Sequence, residues 1–236
     1  MTVVLYDLVG REDRRFSPHC WRTRMALAHK DLATEARATR FGDIQAICDG
    51  QQRTIPVIED GGEIVADSWR IACYLEERYP DCPSLFGTDG ESLTHFVQHW
   101  VHTVVQPGLV GLIIADIHDH LEPADQDYFR QSREQRFGRS LEAVQADRDE
   151  SLGGFRKALE PARRTVQDSP YLGGETPRYA DYLLFGALQW SRVISPLALL
   201  AAEDPLLGWF GRCLDLYQGL GWQTPGYDWP GLRGGD

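Results

Sequence analysis

An α/β unit followed by an all-helical unit is the fold class predicted by this 236-residue chain, and three observations lead to it. Up to residue 84, strand-like and helix-like patterns alternate in the order β-α-β-(α)-β-β-α, a layered α/β arrangement. The stretch from Pro80 to Gly90 is rich in proline and glycine and reads as a linker. Beyond it the apolar spacing is almost wholly helical. The expected division is 1–84, a linker at 85–92, and a helical unit at 93–236.

The elements follow in order. The apolar run Val3-Val4-Leu5-Tyr6-Asp7-Leu8 reads as the first strand. Ser17 is a favoured N-cap type, and Pro18 fits the first helical position, where its missing N–H costs nothing. Trp21, Met25 and Ala28 then recur at helical spacing, which predicts a helix over 17–30. Thr34 to Thr39 reads as a weak strand and is followed by an irregular polar segment to Arg53. Ile55-Pro56-Val57-Ile58 reads as a strand with proline at its start, Asp60-Gly61-Gly62 as a turn, and Glu63-Ile64-Val65-Ala66 as the hairpin partner. Asp67-Ser68 precedes Trp69, Ile71, Ala72 and Leu75, a second capped amphipathic helix.

In the second half, Leu93, Phe96, Val97, Trp100, Val101, Val104 and Val105 hold helical spacing over three turns. Pro161 interrupts a helical pattern from Phe155 to Val166 and predicts a kink or a restart. Residues 182–190 are apolar nearly all round and read as a central buried helix. Asp204-Pro205 caps another helix, with Trp209, Phe210, Cys213 and Leu214 on its apolar face. From Thr224 the chain is rich in glycine and proline and reads as irregular. No internal repeat is present.

A formal net charge of -11 argues against nucleic-acid binding and against docking on an anionic membrane. No uninterrupted apolar run approaches the roughly 20 residues that span a bilayer, and the N-terminus shows no signal-peptide pattern, so a cytoplasmic protein is expected. The five cysteines, Cys20, Cys48, Cys73, Cys82 and Cys213, include no CxxC pair, which predicts neither a disulfide framework nor a zinc site. Cys73 and Cys213 read as small buried hydrophobes, and Cys20 reads as inert despite its place in the first helical turn. His95, His99 and His102 share one helix face without an accompanying carboxylate, so no metal site is assigned to them. His118 and His120 flank Asp119 with no nucleophile nearby in sequence, and Arg14-Arg15 reads as a solvated face or loop, with a border of the substrate pocket as the alternative.

Three short motifs carry the chemistry. Ser-Pro-His-Cys-Trp-Arg at 17–22 follows a strand and a loop and opens a helix, so it places a hydroxyl and free backbone N–H groups at a helix N-terminus, a good seat for an anion such as a thiolate. The spacing matches a Cys-Pro-x-Cys redox turn with Ser17 in place of the first cysteine; simple capping is the plain alternative. Ile55-Pro56 needs an edge position or a cis bond, because proline cannot donate to a strand ladder. Asp67-Ser68 sets a carboxylate and a hydroxyl at another helix N-terminus; it can grip an ammonium and a carboxylate together, or only cap.

On these residues the chain resembles the cytosolic glutathione transferases over essentially its whole length, with a thioredoxin-like N-terminal domain and an all-helical C-terminal one. The resemblance implies that Ser17 holds the glutathione sulfur as thiolate and that Ile55, before a cis Pro56, pairs with the cysteinyl backbone. It also implies that Asp67 and Ser68 bind the γ-glutamyl group. Thr54 joins this glutathione-binding set, but it stands where many relatives carry a long polar side chain, so the glycyl end is expected to rely on Gln52 or Arg53. A closer likeness is to the bacterial β-aryl-etherases of lignin breakdown and their fungal-type relatives. It rests on Ser-Pro-x-x-Trp-Arg-Thr at 17–23, Asp67-Ser68-Trp69, Ile117-His118-Asp119, Ser132-Arg133-Glu134 and Arg136-Phe137. Leu141 to Ala146, Leu172-Gly173-Gly174 and Ala180-Asp181-Tyr182 extend it.

That likeness implies glutathione attack on a small hydrophobic or aromatic electrophile, with aryl-ether cleavage as the sharper expectation and a homodimer as the assembly. Arg178 stands where the family places a Ser, Thr or Asn cap three residues before Asp181, which puts the local cap in question. No pocket-covering C-terminal tail is expected. The pocket is expected between the two domains, lined from residues 9–16 and from the helix around 100–106. Two other functions stay open: a glutathione-dependent thiol reductase working through Cys20, and a glutathione-binding regulatory module without turnover.

Overall fold

Strand β1 (Val3–Leu8) alternates buried and half-buried residues until its last two positions, as a strand with one covered face does. It pairs in parallel with β2 (Thr34–Thr39), Val3 opposite Thr34 and Leu8 opposite Thr39, and antiparallel with β3 (Val57–Asp60), Leu5 opposite Ile58. β3 in turn pairs antiparallel with β4 (Glu63–Ala66), giving the order β2-β1-β3-β4. The computed structural model describes residues 2–50, 52–88 and 90–232. The β3–β4 loop is the two residues Gly61 and Gly62, both at positive φ, which a tight hairpin turn requires. β3 begins two residues later than the sequence predicts. Ile55 and Pro56 precede it, joined by a cis peptide bond. The polar segment after β2 folds into short 3-10 turns at Phe41–Ala46 and Cys48–Gly50.

Helix α1 (Pro18–His29) carries Ser17 as its N-cap, and α2 (Ser68–Arg78) carries Asp67. Beyond the linker come α3 (Glu91–Trp100), one π turn at Val101–Val105, and α4 (Gln106–Asp119). Together they form one continuous helix, Glu91–Asp119, long and apolar enough by length and composition to cross a bilayer. Its Val101, Val105, Leu109, Leu112, Ile113 and Ile117 instead lie in the protein core. The apolar stripe read over 93–105 is divided: Val101 and Val105 are buried, whereas Leu93 and Phe96 are 73% and 72% exposed. Next follow α5 (Pro123–Phe137), the short α6 (Leu141–Gln145), α7 (Arg148–Ala158) and α8 (Glu160–Asp168). Pro161 marks a restart, since α7 ends before it and α8 begins with it in the first turn.

Helix α9 (Tyr179–Ile194) is buried at every position but the half-buried Trp190, as its composition predicts. Arg178 has no acceptor with which to cap it. The buried Asp181 carboxylate does that work, accepting from the N–H groups of Arg178, Leu172 and Gly173 and from Trp209 Nε1. Burial raises the Asp181 pKa, against the pull of these donors. Helix α10 (Pro205–Gly219) is capped by Asp204, buries Trp209, Phe210, Cys213 and Leu214, and is broken at Leu216–Gln218. The tail is irregular but anchored: Arg15 N–H donates to Thr224 Oγ1 at 3.0 Å and Tyr227 N–H to the Arg192 carbonyl at 2.7 Å. The tail residues 233–236 lie outside the described residues. Arg14 and Arg15, expected to be solvated, are half-buried: Arg15 pairs with Asp7 and Asp13, and Arg14 donates to the Val193 carbonyl.

The two layers meet along α1 and α9. A Cβ added to Gly186 of α9 would lie 2.4 Å from the Pro18 carbonyl oxygen and 3.4 Å from Arg22 Cγ. Glycine is thus required for the N-terminus of α1 to sit directly on α9. At the other end of α1, His29 Nε2 lies 3.1 Å from the Ser84 carbonyl, and Nδ1 lies 2.6 Å from the Tyr182 hydroxyl and 3.1 Å from that of Tyr217. A carbonyl only accepts, so Nε2 carries the proton and Nδ1 accepts from a tyrosine hydroxyl, the two tyrosines also bonding each other. Burial pulls the His29 pKa down to about 4.

Two outcomes follow from these contacts. Gly186→Ala should lose about 2 kcal/mol of stability, because overpacking against backbone outweighs the gain of about 1 kcal/mol in helix propensity; the denaturant midpoint measures it. The second concerns acid. Folded His29 stays neutral down to about pH 4, while the unfolded chain takes up its proton near pH 6.5. The His29 contribution to stability is therefore complete above pH 6.5 and lost as pH falls toward 4. His29→Gln should make the fall of melting temperature across that window shallower than in the parent.

Candidate active site

Ser17 occupies the corner where β1, by way of the following loop, hands the chain to α1. Its backbone is extended (φ -61°, ψ 122°), and its Oγ accepts from the Cys20 N–H at 3.2 Å, so the hydroxyl hydrogen is left to donate elsewhere. Ser17 and Pro18 lie at one wall of a cleft of about 720 Å³. Thr54, Ile55 and the exposed Arg53 border the same cleft. His102, Gln106, Val110 and Ile114 from the long helix, Tyr128 and Phe129 from α5, and Phe16 and Phe41 from the N-terminal layer also line it. The cleft therefore lies between the two layers as expected, but the long helix lines it from 102 to 117, and of the loop 9–16 only Phe16 reaches it.

Pro56, Asp67 and Ser68 are not among the residues lining this cleft. Pro56 is buried, and its carbonyl accepts the Asp67 N–H at 3.3 Å, which ties the segment before β3 to the start of α2. Asp67 is exposed at φ +78°, with its Oδ1 accepting from the N–H groups of Trp69 and Arg70 at 3.0 and 3.1 Å. Ser68 is buried, and its carbonyl accepts from the Tyr179 hydroxyl at 2.7 Å. Capping is thus a present role of Asp67 as well as of Ser17.

A buried arginine joins the two halves. Arg22, fully buried in α1, donates from Nη1 to His19 Nδ1 at 3.1 Å and to His102 Nε2 at 2.8 Å. Arginine has no acceptor, so both imidazoles receive these bonds on unprotonated nitrogens. Their protons therefore sit on His19 Nε2 and His102 Nδ1, and both rings are neutral. Burial drives this first and the Arg22 charge second: His19 is held well below the usual range and His102 falls to about 4. Burial likewise lowers Arg22 to about 10, opposed by the charges of Tyr179 and Asp67. His19, Arg22 and His102 were legible in the sequence only as members of motifs. Nothing local signals that residues 80 positions apart share a hydrogen bond.

The remaining candidates have structural roles. Cys20 is completely buried, and burial with the Asp7 charge pushes its thiol far up, so it supplies no thiolate. His95 stacks on Trp69 with ring centroids 4.5 Å apart, and His99 packs on His95. His120 bonds the Tyr227 hydroxyl at 3.0 Å. No cluster of three or more metal-ligating side chains occurs among the described residues.

Two family models match the chain: the glutathione S-transferase N-terminal domain over residues 13–84 and the C-terminal domain over 92–198. A glutathione S-transferase-like protein of Aspergillus flavus is 28% identical over 139 residues, 53% of this chain and about half (49%) of that relative's length. Among solved structures, a glutathione S-transferase of Ceriporiopsis subvermispora in complex with glutathione superposes with a TM-score of 0.80 at 22% identity, covering 94% of this chain and 98% of that one. A glutathione transferase of Phanerochaete chrysosporium gives 0.74 at 27%, covering 93% and 92%. With both domain models matched in order, and the thioredoxin-like sheet followed by the helical domain, the chain belongs to the glutathione S-transferase family.

Proposed function

We propose that the cleft binds glutathione with its sulfur at Ser17 and directs it, as thiolate, at a small aromatic electrophile. The observation that carries this reading is the Ser17 hydroxyl, capping α1 beside a cleft walled by aromatic and aliphatic side chains. Thr54, Ile55 and Pro56 would take the cysteinyl and glycyl backbone, with Arg53 at hand for the glycyl carboxylate. Asp67 and Ser68, tied to Pro56 through the Asp67 N–H, would take the γ-glutamyl end.

Magnitudes support it. A free thiol titrates near 8.5, and each unit of depression is about 1.36 kcal/mol. A helix N-terminus supplies roughly 0.3–1 kcal/mol and a hydrogen bond to a charged group about 1.5–3, together about one to three units. Thiolate is then the main form near neutrality, and no general base is needed. The thiol proton leaves to solvent. The sulfur lone pair forms the S–C bond as the bond to the leaving group breaks, and the leaving group departs with that electron pair. Cleavage of a β-aryl ether, with an aryloxide as leaving group, is the sharper form of this reaction. A thiol reductase working through Cys20 is disfavoured by the burial of that sulfur.

A second copy of the chain is the partner we place on the exposed stripe of α3, where Leu93 and Phe96 face solvent near the interdomain stack of His95 on Trp69. Phe96→Glu should halve the mass measured by light scattering in solution; an unchanged mass removes this face from the interface.

Ser17→Ala tests the chemistry. The variant should still bind glutathione, with the bound thiol pKa raised by about one to two units and turnover near neutrality lowered roughly tenfold to a hundredfold. Loss of the cap alone would cost about 1 kcal/mol of stability without moving the pH profile. A variant with the parent's rate and pH profile rules Ser17 out. Glutathione binding without turnover of any aryl electrophile by the parent would favour the regulatory module.

A further inference from the structure

The chain has 35 acidic residues against 24 lysines and arginines, yet the described residues lining the cleft include three arginines, Arg53, Arg133 and Arg136, and no aspartate or glutamate. On α5 the contrast is sharp within two turns. Arg130 is paired with Glu134 at 2.9 Å and Glu142 at 2.8 Å. Arg133, one turn on, forms no ion pair among the described residues. Its guanidinium lies 4.8 Å from the Phe129 ring centroid and 5.8 Å from that of Phe41, and its Nη1 donates to Ser132 Oγ at 3.0 Å. A guanidinium resting on aromatic faces keeps most of its N–H edge available, and that edge matches a carboxylate in two-point geometry. Arg136, exposed and another turn along, adds a like charge that raises the cost of leaving the corner without an anion. The half-buried position of Arg133 makes that cost larger, since burial disfavours its charged form.

Resting on the transferase reading above, we infer that this corner is a subsite for the carboxylate of an aromatic acid, held by Arg133 with Arg136 in support. The acid's ring would lie among Phe41, Tyr128, Phe129 and Phe137, which line the same cleft, with Phe41 and Phe129 against Arg133 and Phe137 against Arg136. The same chemistry would accept the glycyl carboxylate of glutathione. The apolar walls alone would suit any neutral arene. The arginines turn the cleft toward aromatic carboxylates.

The test uses the full chain and a matched pair of probes, 4-nitrobenzoate and 4-nitrobenzamide, with dissociation constants read by calorimetry in the absence of glutathione. The acid should bind about tenfold more tightly than the amide, an advantage that shrinks at high salt, as expected for charge-assisted hydrogen bonds. Arg133→Gln should bring the two probes to within about twofold of each other, Arg133→Lys should keep part of the preference, and Arg136→Gln should lose about two- to threefold. Glutathione affinity should be the same in all four proteins. Equal binding of acid and amide by the parent overturns the subsite. So does a loss of glutathione affinity in Arg133→Gln with the acid preference intact, which would give Arg133 to the glycyl end. If Arg133→Gln fails to fold, Arg133→Lys and the exposed Arg136→Gln carry the comparison. Turnover is read separately with 4-chloro-3-nitrobenzoate and its amide. Acid preference in binding without turnover of either leaves the subsite standing and rejects the transferase reading; turnover of both with no preference does the reverse.

Discussion

The seating of α1 on α9 governs the geometry of everything near the cleft. Pro18 presents its carbonyl to a helix that has hydrogen instead of a methyl group at the point of contact, so the first turn of α1 rests on backbone. A close-packed interior transmits such a contact without slack. Ser17 precedes Pro18 and inherits its position; Arg22, one turn later, touches the same glycine and reaches His102 on the far wall. One backbone contact therefore fixes the hydroxyl, the buried charge and the distance between the two walls. The Asp181 carboxylate anchors the other partner by collecting three amide donors and an indole at the start of α9.

Charge is distributed in this protein against its average. A chain with a large acidic excess keeps carboxylates off the described lining of its cleft, where guanidinium and neutral imidazole groups stand among apolar side chains. Arg22 is held by two neutral histidines instead of a carboxylate, so its charge stays uncancelled nearby, with Asp67 as the acidic residue whose field reaches it. A field of this sign favours anions, and the reading proposed for the site uses two of them, a thiolate and a carboxylate.

The parts of the fold that were legible in the sequence are those whose cause is local. Both N-caps, the two-glycine hairpin turn, the limits of β1 and β2 and the restart at Pro161 depend on residues within a few positions of one another, and each stands where the pattern put it. The strand beginning at Val57 rather than Ile55 is a local misreading: the proline belongs to the approach, not the ladder. Of the cleft, the sequence pointed to Ser17, Thr54 and Ile55 on one side and to the helix around 100–106 on the other, while Pro56, Asp67 and Ser68 lie off its lining. The joint action of Arg22, His19 and His102 was hidden, as was the aromatic bed under Arg133, because each is a meeting of residues from different elements. Periodicity likewise could not tell that Leu93 and Phe96 look outward while Val101 and Val105 look inward.

Helical spacing separates the two sets: at 100° per residue Val101 and Val105 share a face with the buried Thr94 and Gln98, and Leu93 and Phe96 share one with Val104, which is 41% exposed. Across Val101–Val105 the backbone bonds five residues back, the Gln106 N–H reaching the Val101 carbonyl, so the helix accommodates one residue more than a regular turn would. An added residue rotates all that follows by about 100° relative to all that precedes, since each residue of an α-helix turns the face by that angle. The long helix thus works as two cams on one shaft. Its first segment turns an oily ridge outward, its second turns one inward, and His102 sits on the joint, pointed at Arg22. Trimming one residue at this joint would turn α4 by about 100° against α3 and swing Leu109, Leu112 and Ile113 away from the core, so chain length here decides which residues of the second half are buried.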